Sequence, residues 1–220
     1  MEPRVSDVGV IDKAMAILEA IESEPQSLAG LVSATGIARP TAHRLAVALE
    51  AHAMVRRDGE GRFVLGPRAL ALGHAAAASY PLRDAALVAL RELRDATGES
   101  VQLYVRDGDR RVCVASLESP HGLRTIVSAG ASLPLDVGSA GAVLREDPVV
   151  LGRGWAESVA QREAGVASVS APVLSDGRVM AAVGVSGPIE RLTREPGERY
   201  ADAVMAAARR IERDAGFNGR

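Results

Sequence analysis

Cysteine and aromatic residues are scarce in this chain, and each scarcity excludes a class of protein. Cys113 is the single cysteine among 220 residues, which excludes an intramolecular disulfide and a zinc finger built on cysteines. A lone thiol also fits a reducing compartment. The sequence has no apolar run near the roughly 20 residues of a membrane span, and its first residues are unlike a signal peptide. We therefore expect a cytoplasmic protein.

The scarcity of aromatic side chains also decides what the core is made of. Aromatic residues form 3% of the chain and hydrophobic residues 47%, so the core must consist of alanine, valine, leucine and isoleucine. A chain of 220 residues can form one large domain or two modest ones. The formal net charge of −2 argues against nonspecific coating of nucleic acid.

Two short helical patterns meet across a tight turn between residues 27 and 50. Ser27 can cap the first pattern, and Gly36 ends it. The second pattern, RPTAHRLAVALE, has Pro40 in its first turn, where the missing N–H is tolerated. Its apolar residues recur at helical spacing and predict one buried stripe, formed by Ala42, Leu45, Ala46 and Leu49.

The residues outside this stripe point outward or lie at its edges, and as a group they are short, polar and cationic. They are Arg39, Thr41, His43, Arg44 and Val47. Small side chains allow close approach to a major groove, and hydroxyl and guanidinium groups suit phosphates and base edges. The next segment, VRRDGEGRFVL, alternates around an Asp-Gly turn and predicts a hairpin. Helix, turn, helix and hairpin together predict a winged helix-turn-helix domain over residues 1–66.

Charge distribution favours DNA binding by this domain without deciding it. The domain holds seven basic and nine acidic residues, so it is not basic overall. Five of the seven cations lie between Arg39 and Arg62, where only Glu50, Asp58 and Glu60 oppose them. A localised cationic face matters more for phosphate contact than net charge does. A helix pair followed by a hairpin could also be a packing module, so both interpretations stay open here.

The rest of the chain predicts one further helix in the first domain, a linker and a second domain. Residues 8–22 show an apolar helical face of Val10, Ala14, Ile17, Leu18 and Ile21. Residues 67–80 predict a linker helix whose small apolar face suits a dimer contact. Residues 81–220 predict an α+β domain with an antiparallel sheet, similar to a GAF-like sensor fold.

Within the second domain the pattern changes from helical to alternating and back. We expect a helix over residues 81–97 with Val88 among its apolar positions, and hairpins over residues 100–117 and 166–188. Residues 122–128 could add a strand, and an irregular middle separates the hairpins. A final helix is expected over residues 195–214.

Several motifs, taken in order, resemble the IclR family of bacterial transcriptional regulators along nearly the whole chain. They are KAMAILEAIE, TGIARPTAHRLAVALEAHAMV, GRFVLGPRALALG, and the pair GVASVSAPV and VGVSGPIERLT. The last pair, placed after a winged helix, is the most specific. Within the family the chain resembles the NdgR-like regulators of actinobacterial amino-acid metabolism, through its RPTAHRLAVALE and SAPV segments.

The resemblance implies a cytoplasmic regulator whose N-terminal domain binds operator DNA as a dimer or a dimer of dimers. Its C-terminal domain binds a small organic metabolite, and no metal, cofactor or catalytic group is implied. Carried to this sequence, the DNA contacts are Arg39, Thr41, His43, Arg44, Arg56, Arg57 and Arg62. The effector pocket is formed by Gly138, Ser139, Ala140, Val166, Ser168, Gly184 and Ser186.

These pocket residues suit a small polar ligand. Backbone N–H groups of a Gly-Ser turn and short hydroxyls can hold a carboxylate or a carbonyl, while valine and alanine shape the apolar remainder. The serines could equally bond neighbouring backbone. No basic residue of these motifs is clearly aimed inward, so the ligand charge stays open, as does the choice between repressor and activator.

One departure from the family concerns the segment before Trp155. Family members usually carry a longer helical insertion after the Gly-Ser turn, where this chain has only VLREDPVVLGRG. Either the lid of the pocket is reduced or the ligand is held more openly. Trp155 either covers the pocket or packs at its rim.

Three other functions compete with DNA-dependent regulation. An enzyme could use Cys113 as a nucleophile, but an apolar alternating run is typical of a buried cysteine. The histidines show no metal spacing with it: His43, His52, His74 and His121. The same scaffold could also be a redox sensor that uses Cys113, or a metabolite sensor whose head does not bind DNA.

Overall fold

The computed structural model describes Ser6 and residues 8–217, and it divides into two compact units between Ala76 and Ala77. Three helices, a two-stranded hairpin and a connecting helix follow one another in the first part of the chain. They are α1 (Gly9–Ser23), α2 (Leu28–Thr35), α3 (Arg39–Ala51), β1 (Val55–Arg57), β2 (Phe63–Leu65) and α4 (Pro67–Ala78). The boundary between the units falls inside α4.

Local signals define the helix ends of the first unit. The Ser27 hydroxyl accepts a hydrogen bond from the Gly30 N–H at 3.0 Å, which caps α2 as expected. Gly36 ends α2 with φ 68°, a left-handed conformation that suits glycine. Pro40 lies in the first turn of α3.

The core of the first unit lies between α1, α2, α3 and the hairpin. It consists of Ile17, Ile21, Leu31, Ile37, Ala42, Ala46, Val55 and Phe63. The expected place of Val10 on the apolar face was wrong, because its side chain is 61% exposed. The buried part of α1 begins further along the helix, at Ile17, so the first turn of α1 lies outside this core.

The second unit is an antiparallel sheet with helices on both faces. Its elements are α5 (Pro81–Thr97), β3 (Ser100–Asp107), β4 (Arg110–Leu117), β5 (Ser132–Pro134), α6 (Ser139–Leu144), α7 (Pro148–Arg153), β6 (Ala156–Val159), β7 (Val166–Ser175), β8 (Arg178–Pro188), α8 (Ile189–Leu192) and α9 (Pro196–Asp214). The six strands run in the order β5-β4-β3-β8-β7-β6, and each neighbouring pair is antiparallel. The α+β prediction is confirmed.

The two faces of this sheet have different cores. On one face α5 and α9 pack over alternate residues of β3, β7 and β8, such as Leu103, Val169 and Val183. On the other face α6 packs with Tyr104 and Cys113. Asp176 and Gly177 have φ values of 49° and 75°, so the β7–β8 hairpin closes through two left-handed residues. Beyond the turn the register of β7 against β8 shifts by one residue at a bulge between Val173 and Leu174.

Three expectations for the second unit were wrong. Residues 122–128 form no strand, and the edge strand is β5, which pairs with β4 through Arg110 and Pro134. The middle segment is not irregular, since it contains α6, α7 and β6. Val88 is 43% exposed, because the buried stripe of α5 passes through Ala86, Ala89 and Leu90 and leaves Val88 to one side.

None of the helices in the described part of the chain is long and apolar enough to cross a membrane.

A partly buried ion pair connects Glu99, the residue before β3, to α8. The Glu99 side chain is 2% exposed, and its two oxygens accept from Arg191 Nε at 2.6 Å and Arg191 Nη2 at 2.8 Å. Breaking a buried pair is costly because it leaves one charge without a partner in a poorly solvated site.

Replacing Arg191 with alanine should therefore lower the free energy of unfolding of the second unit by about 1.5–3 kcal/mol, because it leaves the buried Glu99 carboxylate without its charged donors. The matched control is Arg210→Ala, which removes exposed pairs with Glu92 and Asp214 and should cost about 1 kcal/mol or less. Trp155 is the single tryptophan and lies in the second unit, so its fluorescence during urea denaturation reports on this unit. Equal losses of unfolding free energy for Arg191→Ala and Arg210→Ala would show that the Glu99–Arg191 pair stabilises the second unit no more than an exposed pair does.

Candidate nucleic-acid interface and ligand cavity

Helix α3 presents an exposed cationic face. Arg39, His43 and Arg44 are exposed and Thr41 is half-buried, while Ala42 on the opposite side is fully buried. Among the described residues, neither Arg39 nor Arg44 has an ion-pair partner or a side-chain hydrogen bond. The helix also begins without a side-chain cap and without an acidic residue in its first turn. Its first N–H groups and its arginines are thus available to an anion such as a phosphate.

The hairpin after α3 is held in shape by Asp58. Its carboxylate accepts from the Glu60 N–H at 2.9 Å, from the Arg62 N–H at 2.9 Å and from Arg62 Nε at 2.8 Å. Partial desolvation by itself raises the pKa of the Asp58 carboxyl, but the hydrogen bonds from Arg62 and Glu60 outweigh it and lower that pKa. The turn between β1 and β2 is therefore an ordered loop organised around one carboxylate.

The three arginines of this hairpin have different surroundings. Arg57 stacks over the Phe63 ring at 4.2 Å and donates from Nη1 to the Gly61 carbonyl at 3.2 Å. Arg62 is paired with Asp58, so both side chains help to build the hairpin. Arg56 is exposed, and within the described chain it has no side-chain partner. Arg56 is the hairpin cation with the greatest freedom to contact a ligand.

A small cavity lies between α6 and the face of the sheet opposite α5 and α9. Its volume is about 30 Å³, whereas one water needs about 10–15 Å³ on this measure. The lining is polar on most sides and consists of Gln102, Tyr104, Arg111, Gly138, Ser139, Ala140, Ser158, Arg162, Val166, Ser168, Ser170, Val185 and Ser186.

Hydroxyl groups form a connected cluster along one wall of the cavity. The Ser139 hydroxyl lies 2.8 Å from the hydroxyls of both Ser168 and Ser170. The Ser186 hydroxyl donates to Gln102 Oε1 at 2.9 Å. These serines bond to other side chains and not to neighbouring backbone, so their hydroxyls line the space between β7, β8 and α6.

Arg111 is the cation of the cavity, and it is 3% exposed. Its Nη1 donates to the Val137 carbonyl at 2.6 Å and to the Pro134 carbonyl, while Nε has no hydrogen-bond partner. Burial is the largest cause that lowers the pKa of this guanidinium, and the like charges of Arg162 and Arg145 lower it further. Burial also raises the pKa of the neighbouring Tyr104 phenol.

Glycines let this guanidinium approach the start of α6. A Cβ at Gly138, where φ is 80°, would lie 3.3 Å from Arg111 Nη2. A Cβ at Gly141 would lie 3.0 Å from Arg111 Nη1 and would also meet the Leu135 carbonyl. Two glycines three residues apart therefore create the space that the arginine occupies.

Cys113 lies in the core between α6 and the sheet, together with Tyr104, and its thiol is not accessible. The side chain has no exposed surface, and its sulfur donates weakly to the Ala115 carbonyl at 3.3 Å. Burial raises the pKa of the Cys113 thiol to about 12, so the reactive thiolate is disfavoured. This environment is that of a small core residue and argues against both a nucleophile and a redox sensor. In the part of the chain that the structure describes, no cluster of His, Cys, Asp and Glu could hold a metal ion.

Two models of known domain families match this chain. A family model described as the IclR helix-turn-helix domain matches residues 10–59. A second model, for the C-terminal part of the bacterial transcriptional regulator IclR, matches residues 74–146 and 149–213. The chain belongs to the IclR family of transcriptional regulators. It is a DNA-binding regulator of the IclR type.

Relatives and solved structures of the family cover nearly the whole chain. The glycerol operon regulatory protein of Streptomyces griseus is 30% identical over 94% of this chain and 96% of its own length. An IclR transcriptional regulator from Alicyclobacillus acidocaldarius shares the fold, with a TM-score of 0.78, 23% identity, and coverage of 95% and 99% of the two chains. An IclR homologue from Microbacterium hydrocarbonoxydans, solved in complex with 4-hydroxybenzoate, has a TM-score of 0.70, 21% identity, and coverage of 94% and 98%.

The structure brings most of the predicted pocket residues of this IclR-family chain to one cavity. Gly138, Ser139, Ala140, Val166, Ser168 and Ser186 all line it. Gly184 is not among the lining residues but pairs with Ser170 and Gln102 on the neighbouring strands. The Gly138 N–H, expected to be available to a ligand, already donates to Gln161 Oε1 at 3.1 Å.

Sequence reasoning missed the two cavity arginines and Gln102. It assigned no basic residue to the pocket, whereas Arg111 and Arg162 both line it. No local sequence pattern shows that Arg111 is buried, because its contact with the turn at Gly138 joins residues that are distant in sequence. A buried arginine in such a position needs either partners or a ligand.

The short segment before Trp155, residues 143–154, contains the end of α6 and the whole of α7. The match to the C-terminal family model is interrupted there, between residues 146 and 149. Trp155 neither covers the cavity nor packs at its rim. It packs with the core under α5 and α9, where a Cβ at Gly197 would collide with its ring, and Arg153 lies 3.6 Å over that ring.

Gly184 has a structural role that a substitution can test. A Cβ there would collide with the Ser170 hydroxyl and the Val169 carbonyl oxygen, so Gly184→Ala forces β7 and β8 apart. We expect this variant to lower the free energy of unfolding by about 1–3 kcal/mol, measured through Trp155 fluorescence in urea. Gly152→Ala, on α7 in open space, is the control and should raise stability by up to about 1 kcal/mol. A Gly184 variant as stable as the wild type would show that the strands can move apart freely.

Proposed function

We propose that this protein binds a two-fold operator through α3 and the β1–β2 hairpin, and that a small organic effector in the cavity modulates this binding. The observation that supports the DNA contacts most strongly is the pair of exposed, unpaired arginines on α3 beside an ordered hairpin. In a cytoplasmic regulator this face would meet chromosomal DNA.

The proposed DNA contacts form two groups, one on α3 and one on the β1–β2 hairpin. Arg39, Thr41, His43 and Arg44 enter the major groove with α3, where hydroxyl and guanidinium groups meet base edges and phosphates. Arg56 reaches the backbone from the hairpin. Arg57 and Arg62 contribute by holding the hairpin in shape, and both side chains are 41% exposed and thus still accessible to a phosphate.

Helix α4 supports the proposal that the regulator is a homodimer. The helix has no buried residue, and Leu70 and Leu72 are 78% and 45% exposed. Apolar side chains on an otherwise uncovered helix favour burial against a second copy, and a two-fold dimer matches two operator half-sites. A dimer of dimers is a further possibility that belongs to the same proposal.

The effector proposal rests on the cavity in the second unit. Its position between α6 and the sheet, its cluster of hydroxyls and its apolar walls of Ala140, Val166 and Val185 suit a small polar ligand. The complex of the Microbacterium hydrocarbonoxydans homologue with 4-hydroxybenzoate supports an effector role for this fold. We propose that ligand binding shifts the spacing of the two DNA-binding units through α4.

Gel retardation on the intergenic DNA beside the gene of this protein tests the regulator. Specific retention that weakens as salt rises is expected, because phosphate contacts release counterions. Absence of retention at low salt, on neighbouring DNA and on random DNA alike, would favour a sensor that does not bind DNA.

Arg44→Ala should weaken operator binding about 5- to 150-fold, because a groove contact of this kind contributes roughly 1–3 kcal/mol. Arg178→Ala is the matched control, since Arg178 is an equally exposed arginine in the β7–β8 turn of the second unit. Both dissociation constants are measured by gel retardation at one salt concentration. An Arg44 variant that binds operator DNA like the control would contradict the role of α3 as the DNA-recognition helix.

Leu70→Glu should convert the dimer to a monomer, because it places a charge in the proposed apolar contact of α4. Light scattering after gel filtration gives the mass directly. Val149→Glu, which changes a 76% exposed valine on α7, is the control and should leave the mass unchanged. A Leu70 variant of unchanged mass would show that α4 is not the dimer contact.

A further inference from the structure

The turn of the β1–β2 hairpin carries two carboxylates in different surroundings. The Asp58 side chain is 19% exposed, whereas that of Glu60 is 74% exposed. On charge alone, an acid on a surface that meets DNA repels phosphates and weakens binding. The contacts of Asp58 indicate the opposite effect for this residue.

The first carboxylate oxygen of Asp58 closes the turn. Oδ1 accepts hydrogen bonds from the backbone N–H groups of Glu60 and Arg62, both at 2.9 Å. The backbone of Asp58 adds two more bonds, since its N–H donates to the Arg62 carbonyl at 2.9 Å and its carbonyl accepts from the Gly61 N–H at 3.1 Å. Aspartate side chains that accept from the backbone a few residues later stabilise turns. Asp58 therefore determines the shape of this turn.

The second carboxylate oxygen of Asp58 orients Arg62. Oδ2 accepts from Arg62 Nε at 2.8 Å, while the Arg62 side chain stays 41% exposed. Glu60 approaches Arg62 Nη1 at 3.3 Å, but the Glu60 side chain is largely solvated, and exposed pairs of this kind are weak. An arginine that is already held in one orientation loses less conformational freedom when it contacts a phosphate. Asp58 thus presents this cation in one orientation.

The strands of the hairpin are fixed to the core of the first unit by contacts outside the turn. Phe63 is 1% exposed, its N–H donates to the Gln26 carbonyl at 2.7 Å, and its carbonyl accepts from the Gln26 N–H at 2.9 Å. The Arg57 guanidinium covers the Phe63 ring at 4.2 Å. A substitution at Asp58 should therefore alter the turn and Arg62 while the strands and the core stay in place.

We propose that Asp58 is a positioning residue for DNA binding and that its carboxylate strengthens the contact of the hairpin with DNA. The carboxylate holds the turn and directs Arg62 to the phosphate backbone without touching DNA itself. This inference rests on the proposed role of the hairpin in DNA binding. It assigns opposite effects to two acids of one turn, since Asp58 favours binding and Glu60 opposes it.

Asp58→Ala tests the proposal on the full-length protein. Gel retardation over a salt series, on the intergenic DNA beside the gene and on a random duplex of equal length, gives the association constants. We expect about eightfold weaker binding at about 0.1 M salt on both duplexes. The reason is that one phosphate contact contributes about 0.9 to the slope of log K against log salt, hence about eightfold between about 1 M and 0.1 M. The slope should become shallower by about that amount.

The slope separates positioning from a loss of folded protein. A partly unfolded variant binds more weakly at every salt concentration but keeps the wild-type slope, because the molecules that do bind make all of their phosphate contacts. Far-ultraviolet circular dichroism checks that the helices of each variant are intact.

Glu60→Gln is the matched control, since it removes the same charge from the same turn. It leaves the bonds of Asp58 intact, because Asp58 accepts from the backbone N–H of Glu60 and not from its side chain. We expect this variant to bind DNA as tightly as the wild type or more tightly. Asp58→Asn keeps an oxygen for the two N–H groups but loses the charged acceptor of Arg62 Nε. Its affinity should lie between those of the wild type and Asp58→Ala.

Three results would overturn the proposal: wild-type or tighter binding by Asp58→Ala, weaker binding by Asp58→Ala with an unchanged slope, or wild-type binding by Asp58→Asn. Equal weakening by Asp58→Ala and Glu60→Gln would overturn it as well. Arg44→Ala, measured on the same gels, separates this inference from the proposed function. Weaker binding by Arg44→Ala alone contradicts only the role of Asp58, whereas absence of binding by the wild-type protein contradicts both.

Discussion

The two-residue alternation of side chains along β7 and β8 separates the core of the second unit from its cavity. Val169 faces the core under α5 and α9, while its neighbours Ser168 and Ser170 face α6. The register places Ser168 opposite Ser186 and Ser170 opposite Gly184. A slip of one residue would exchange the two faces and bury hydroxyl groups in an apolar core. The register set by the β7–β8 turn together with the bulge between Val173 and Leu174 therefore determines the cavity as well as the fold.

Arg111 adds a second constraint, because it connects the sheet to the loop that precedes α6. Its Nη1 holds the carbonyls of Pro134 and Val137, and this loop leads directly to Ser139 at the start of α6. A buried guanidinium loses much of its hydration, and carbonyl partners replace only part of it. Retaining such a group in a site with no lining carboxylate is costly for stability, which is consistent with a role in binding and not in packing alone.

Sequence reasoning succeeded where the signal is local. The Ser27 cap, the Gly36 stop, the Asp176-Gly177 turn and the alternation of both hairpins each depend on neighbours in the chain, and the structure contains all of them. It failed where contacts are distant in sequence. Arg111 meets the turn at Gly138 only after β4 has paired with β5, and no local pattern reveals that the side chain is buried. Val10 is likewise exposed because the first turn of α1 lies outside the core of the first unit. Helical periodicity predicts which face of a helix is apolar but cannot specify how much of its length is covered.

A ligand can switch a regulator only through a difference in its affinity for two states. Arg111 provides a source for that difference, because its guanidinium belongs to the cavity lining and also holds the loop that precedes α6. On the proposed mechanism a ligand in the cavity fixes the orientation of this guanidinium, whose Nη1 donates to the carbonyls of Pro134 and Val137. The first element to respond is then this loop, followed by α6, which it positions. On the proposed mechanism the signal begins as a change in loop order within the second unit, and α4 is its covalent connection to the DNA-binding unit.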